Sequence, residues 1–137
     1  MQNCFVRERL AKYILALVRI IRSDQAWRVF RANASGALVL ESLARRHGYR
    51  VCEMCAELGC GERYLHATFV RDIGLSPKMW LRQERMLVAR RLLRDGRSAD
   101  SVAEELGFST LNNFRREFRE VYGLSPLQYQ RRFLASC

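Results

Sequence analysis

Apolar side chains recur at helical spacing near the start of the chain, where Leu10, Ile14, Leu17 and Ile21 stand at i, i+4, i+7 and i+11, and Tyr13, Val18 and Ile20 widen the stripe. The pattern predicts one helix over residues 4–22 with a broad apolar surface. A connector over 23–36 follows, ending in the breakers Asn33, Ser35 and Gly36. From Ala37 onward the punctuation is that of helix ends: His47-Gly48, Gly59, Gly74, Gly96, Gly107 and Gly123. The stretch Pro77 to Arg94 carries Trp80, Leu81, Met86, Leu87, Val88, Leu92 and Leu93 without a breaker. As a helix it would be about 27 Å long. No segment is read as an alternating strand, so the expected fold class is all-α.

The polar punctuation repeats. Leu58-Gly59 returns as Leu106-Gly107 at an offset of 48, and Gly74-Leu75-Ser76-Pro77 returns as Gly123-Leu124-Ser125-Pro126 at an offset of 49, so one residue has entered between them. In each Gly-Leu-Ser-Pro, Gly can close one helix, Ser can cap the next, and Pro suits its first position. Each repeat then reads as a short helix, a turn and a second helix: 50–58 then 62–73, and 99–106 then 110–122. That is the helix-turn-helix pattern, whose second helix enters the DNA major groove. An ordinary helical hairpin is the commoner alternative. Duplication, net charge and the surface of the second helix, in the copy at 110–122, weigh against it. There, Leu111, Phe114, Phe118 and Val121 form a core face, while Asn112, Arg115, Arg116 and Arg119 share another. Arg suits guanine, Asn suits adenine, and the same arginines can instead grip phosphate.

Composition narrows the function classes. Apolar residues make up 49% of 137, enough to build a packed core, while 24 Lys plus Arg against 14 Asp plus Glu leave a net charge of +10. The excess points to a polyanion, either nucleic acid or an anionic membrane surface. Arg supplies 22 of the 24 cations, which suits bidentate recognition, although a GC-rich genome produces the same bias. No transmembrane span is expected. The nearest thing to an export signal, the basic start and Tyr13 to Ile21, is interrupted by Arg19 and lacks a small-residue cleavage region, so a cytoplasmic location is expected.

Catalysis and metal binding find little support. His47 and His66 are the only histidines, and no catalytic triad, phosphate loop or paired carboxylate accompanies them, so no catalytic residue is expected. Five cysteines are an odd count that suits free thiols in a reducing compartment. Cys52, Cys55 and Cys60 have a spacing that invites a metal or redox reading. The repeat argues otherwise, because Cys55 matches Ala103 and Cys60 matches Phe108, both packing positions, while Cys52 matches the surface position Asp100. Neither a metal site nor a cofactor is expected.

Taken together, the two Leu-Gly turns, Gly107-Phe108 followed by Phe114, Arg116, Phe118 and Arg119, and the closing Gly123, Pro126, Tyr129 and Arg131 resemble the DNA-binding domain of AraC/XylS-type transcription regulators. The resemblance covers about residues 37–134. It implies two helix-turn-helix subdomains, about 37–76 and 95–134, joined by a linker helix over 77–94, within a DNA-binding domain over 36–137. Two copies would place recognition helices roughly 34 Å apart, so that one molecule reaches successive major grooves. Carried over by position, the DNA-binding residues are Glu62, Arg63, His66 and Ala67 in the first copy and Leu111, Asn112, Arg115, Arg116 and Arg119 in the second. The family often has a basic residue where Ala67 stands, which leaves Glu62, Arg63 and His66 as the polar readers of that copy.

The expected function is that of a sequence-specific regulator, an activator, with double-stranded DNA and RNA polymerase as partners. Residues 1–35 form a separate basic, apolar segment with seven basic and two acidic residues, a net charge of +5. Family members attach a ligand-sensing domain ahead of this half, and none fits in that space. A stand-alone regulator and a piece of a larger one both remain open. The 4–22 helix could pack on the 37–46 helix or make a homodimer. A different class of reading makes it a protein- or membrane-interaction module with DNA binding secondary, membrane being the less expected partner.

Overall fold

A computed structural model describes residues 18–32 and 34–136. It overturns the all-α expectation. Residues Val18–Ser23 (β1), Ala26–Arg31 (β2) and Ala37–Val39 (β3) form an antiparallel sheet in the order β1-β2-β3. The helix expected over 4–22 is therefore a strand from Val18 onward, and β2 lies inside the expected connector. Leu10, Tyr13, Ile14 and Leu17 lie outside the described residues. The sheet's inner face carries Val18, Ile20 and Val29, at 1%, 3% and 1% exposure, while Arg19 and Ile21 face out, Ile21 at 50%. That two-residue period and the β-branched side chains favour a pleated strand, with Asp24 at φ 52° turning the first hairpin. Isolated apolar runs of this length are ambiguous between helix and strand, and here packing decides.

Seven helices follow among the described residues: α1 (Leu40–Arg46), α2 (Val51–Leu58), α3 (Glu62–Asp72), α4 (Pro77–Arg94), α5 (Ala99–Glu105), α6 (Leu111–Tyr122) and α7 (Pro126–Ala135). The chain divides into two compact units, Met1–Leu81 and Arg82–Cys137, with the boundary inside α4. In the first unit the sheet closes one side of a core built on Leu40, Leu43, Met54, Leu65 and Phe69, with Trp80 edge-on to Phe69 at 5.8 Å. The second unit packs Met86, Leu93, Val102, Leu106, Phe114 and Phe118. There Phe114 sits 5.8 Å from Phe118, which meets Tyr129 at 5.6 Å.

The repeat in sequence is a repeat in hydrogen bonding. Cys60 N–H donates to the Cys55 carbonyl at 3.2 Å, and Phe108 N–H donates to the Ala103 carbonyl at 2.9 Å, the same bond at an offset of 48. Between them Gly59 and Gly107 sit at φ 68° and 71°, left-handed values that favour glycine at both turns. The helix starts then match at an offset of 49, Gly61 with Thr110. Ser109 is thus the residue that has entered, and it lengthens only the second turn.

Candidate nucleic-acid interface

Local sequence fixes where α6 begins. Thr110 accepts the Asn113 N–H at 3.1 Å, and Ser109 Oγ holds the Asn113 amide nitrogen at 2.7 Å. The helix then turns Phe114 and Phe118 fully inward. Val121, expected on that core face, is 41% exposed, and Tyr122 instead meets Phe118 at 4.7 Å. Asn112, Arg115, Arg116 and Arg119 are all exposed, whereas Leu111 is half-buried.

Electrostatics keep that exposed face cationic. Both acids of α6 are near Arg82 of α4, which donates to the Glu120 carboxylate and has its Nε 4.0 Å from Glu117. Arg115 and Arg119 pair with no acid among the described residues, and Arg116 makes only a 3.4 Å bond to Asn113. A cleft of about 260 Å³ opens beside the helix start, with Ser109, Asn113 and Arg116 in its wall. Groups that can donate to phosphate or to a base edge thus stand together, with few internal partners to give up.

Sequence reasoning missed what holds the turn. Arg85 of α4 donates twice to the Leu106 carbonyl, at 3.0 and 2.7 Å, and its guanidinium lies 3.5 Å above the Phe108 ring. α4 carries five arginines, and nothing in their spacing marks Arg85 out from the rest. At the other end of α6, Arg94 Nε donates to the Tyr129 hydroxyl at 2.7 Å, and Gln130 donates to the Leu93 and Arg97 carbonyls at 2.9 Å each.

In the first unit α3 buries Leu65, Thr68 and Phe69 and presents Glu62, Arg63, His66 and Ala67 to solvent. A cleft of about 340 Å³ includes Glu62, His66 and also Lys78, a cation that the matching of the two copies did not bring forward. Arg63 makes no ion pair among the described residues. The two candidate sets occupy corresponding faces of corresponding helices, one in each unit.

Burial separates the remaining reactive groups. Cys52 is exposed, Cys55 buried and Cys60 half-buried. Burial, reinforced by Cys60, pushes the Cys55 thiol up to about 11. No three His, Cys, Asp or Glu side chains among the described residues cluster as metal ligands would. His47 is held by Glu57, whose carboxyl is lowered first by the His47 bond and then by Arg46 at 2.6 Å. No helix among the described residues is long and apolar enough to cross a membrane.

A duplicated helix-turn-helix with an exposed, cationic second helix defines a class of DNA-binding domain. The family model for a helix-turn-helix domain matches residues 54–132, and the chain belongs to the AraC-type helix-turn-helix family of transcription regulators, which are not enzymes. It is similar to the virulence regulon transcriptional activator VirF of Yersinia enterocolitica, with 32% identity over 82 residues, 59% of this chain and 30% of that protein. It is also similar to the transcriptional activator RhaR of Pectobacterium atrosepticum, with 34% identity over 112 residues, 81% of this chain and 36% of that protein. The chain thus spans about a third of the length of these curated relatives. Among solved structures, the DNA-binding domain of the global transcriptional factor AdpA in complex with a target DNA superposes with a TM-score of 0.63 at 30% identity, covering 69% of this chain and 89% of that one.

Proposed function

We propose that this chain is a cytoplasmic, sequence-specific DNA-binding regulator that presents α3 and α6 to successive major grooves and acts as an activator toward RNA polymerase. The observation that carries the reading is α6, whose Asn112, Arg115, Arg116 and Arg119 stand exposed opposite the buried Phe114 and Phe118. The AdpA domain, solved on its target DNA, and the relatives named as activators support it. On this reading residues 36–137 form the bipartite DNA-binding domain, with subdomains over about 37–76 and 95–134 and α4 as the linker. Glu62, Arg63, His66 and Ala67 line the first contact, and Leu111 packs at the edge of the second. Its arginines and Asn112 read bases or grip phosphate.

Selection of binding sites from random duplexes, followed by anisotropy titration, tests the proposal. Arg116→Ala should weaken the selected site by about 1–3 kcal/mol if it reads a base, and should relax preference at one position. Combining it with Arg115→Ala and Asn112→Ala should weaken binding further. Unchanged affinity and base preference in the triple variant would remove α6 as the reading helix.

A further inference from the structure

The sheet lies outside the family match, which begins at residue 54, yet its edge strand is fastened to the first candidate reading helix. Among the described residues β1 pairs with β2 along one side only, Val18 opposite Arg31 and Ile20 opposite Val29. Its other side would present bare backbone groups, which α3 takes up. Val18 N–H donates to the Tyr64 hydroxyl at 3.0 Å, Ile20 N–H donates to Asp72 Oδ2 at 2.9 Å, and Arg71 Nη2 donates to the Val18 carbonyl at 3.2 Å. Arg71 also grips Asp72 at 2.7 and 3.0 Å, which fixes the carboxylate that receives Ile20.

We infer that β1 is a clamp on α3, and that Tyr64, Arg71 and Asp72 are positioning residues which set the rotation of α3 and hence which side chains it offers to DNA. The inference rests on the proposed function above. At about 100° per residue, Tyr64 and Arg71 fall on one line of the helix, with Asp72 on one flank, Ala67 and Arg63 on the other, and His66 almost opposite. Three bonds spread over the nine residues from Tyr64 to Asp72 resist rolling of the helix in a way that one bond could not. The need is specific to this copy. The start of α6 is fixed by the Thr110 side chain, whereas Gly61 gives α3 no side-chain cap. Buried Val18 and Ile20, packed in the same cluster as Leu65 and Phe69, make the strand a rigid anchor and not a loose tether.

The test uses the full chain and two readouts. Amide hydrogen exchange, measured without DNA, reports whether the clamp holds α3; site selection reports base preference separately in the two halves of the recognised sequence. Tyr64→Phe with Asp72→Ala should speed exchange at Val18, Ile20 and the α3 amides at least about tenfold and leave α6 unchanged. It should also flatten base preference in one half of the site and keep the other half sharp. Asp72→Asn, whose amide oxygen can still accept the Ile20 N–H, should restore most of that preference. If the double variant does not fold, Tyr64→Phe alone removes one hydroxyl and is read the same way, with a smaller effect confined to the same half. Faster exchange with both halves equally sharp would reduce the sheet to core extension and overturn the inference. Failure of the parent protein to prefer any duplex would overturn the function itself, and the clamp's role with it, before any variant is made.

Discussion

Burial decides what each described cysteine can do. Cys52 is exposed, whereas Cys55 stands where the second copy has Ala103, and the two positions are 6% and 4% exposed. A thiol-specific alkylating reagent at pH 8 should therefore modify Cys52 readily and reach Cys55 only after unfolding, which peptide mass mapping will show. The raised Cys55 value also carries a sign. Because the folded thiol ionises at about 11 against an ordinary 9.0, the fold favours the neutral form. Its contribution to stability is complete below pH 9 and is lost as the pH climbs toward 11. Replacing Cys55 with Ala removes that titration, so the melting temperature of the variant should fall less than the parent's between pH 9 and pH 11. Equal losses would mean that the buried thiol does not titrate with folding. Cys55→Leu, by contrast, should overpack the helix contact and cost about 1–3 kcal/mol. The packing role of this position was legible because the repeat supplied its own comparison. The hold of Arg85 on the Leu106 carbonyl was not, since spacing alone gives no hint that a charged side chain will turn back onto a glycine turn.

Elements whose ends carry their own chemistry were read correctly, and those stabilised only by packing were not. Both Gly-Leu-Ser-Pro copies start a helix, and at Ser125 the structure has a complete capping box: Ser125 accepts the Gln128 N–H at 3.2 Å and Gln128 returns a carboxamide oxygen to the Ser125 N–H at 3.0 Å. Ser76 makes the corresponding bond to the Met79 N–H at 3.3 Å. Ser125→Ala should destabilise the second unit by about 0.5–2 kcal/mol, while Ser125→Gly should cost only a few tenths. Urea titration followed by circular dichroism can separate the two, and equal losses would mean that the cap is spent on something other than the helix start. The sheet had no comparable signal. Val18, Ile20 and Ile21 fit the end of a helical stripe as well as the inner and outer faces of a strand. What selects the strand is non-local: pairing with β2 and the acceptors Tyr64 and Asp72, 46 and 52 residues away. The candidate site shows the same division. The faces of α3 and α6 could be drawn from helical period, but Val121 turned out exposed because Tyr122 takes the neighbouring aromatic contact.

For the whole molecule the count of 24 Lys plus Arg overstates the cations available to a polyanion. Arg46, Arg71, Arg82 and Arg97 are held in ion pairs with Glu57, Asp72, Glu120 and Glu105, and Arg85 is committed to a carbonyl. The exposed cations of the candidate interface are a smaller set: Arg63 and Lys78 in the first unit, and Arg115, Arg116 and Arg119 in the second, with Arg131 and Arg132 on the adjoining α7. If about four to seven of them reach phosphate, each releasing close to one counterion, the logarithm of the binding constant should fall against the logarithm of salt concentration with a slope of about −4 to −6. A protein using its whole charge indiscriminately would give a much steeper line, and one that does not bind the backbone would give none. The slope also sorts residues by role. Removing a phosphate contact makes the slope shallower by about 0.9 and weakens every sequence alike, whereas removing a base reader leaves the slope intact and relaxes preference at one position. We expect Arg119→Ala, at the far end of the reading face, to behave in the first way and Asn112→Ala, in the first turn of α6, in the second. Titrations at four salt concentrations on a selected and a scrambled duplex measure both quantities at once. Exchange of the two behaviours would reverse the roles of those residues, and a slope near zero for the parent protein would sink DNA binding as its function.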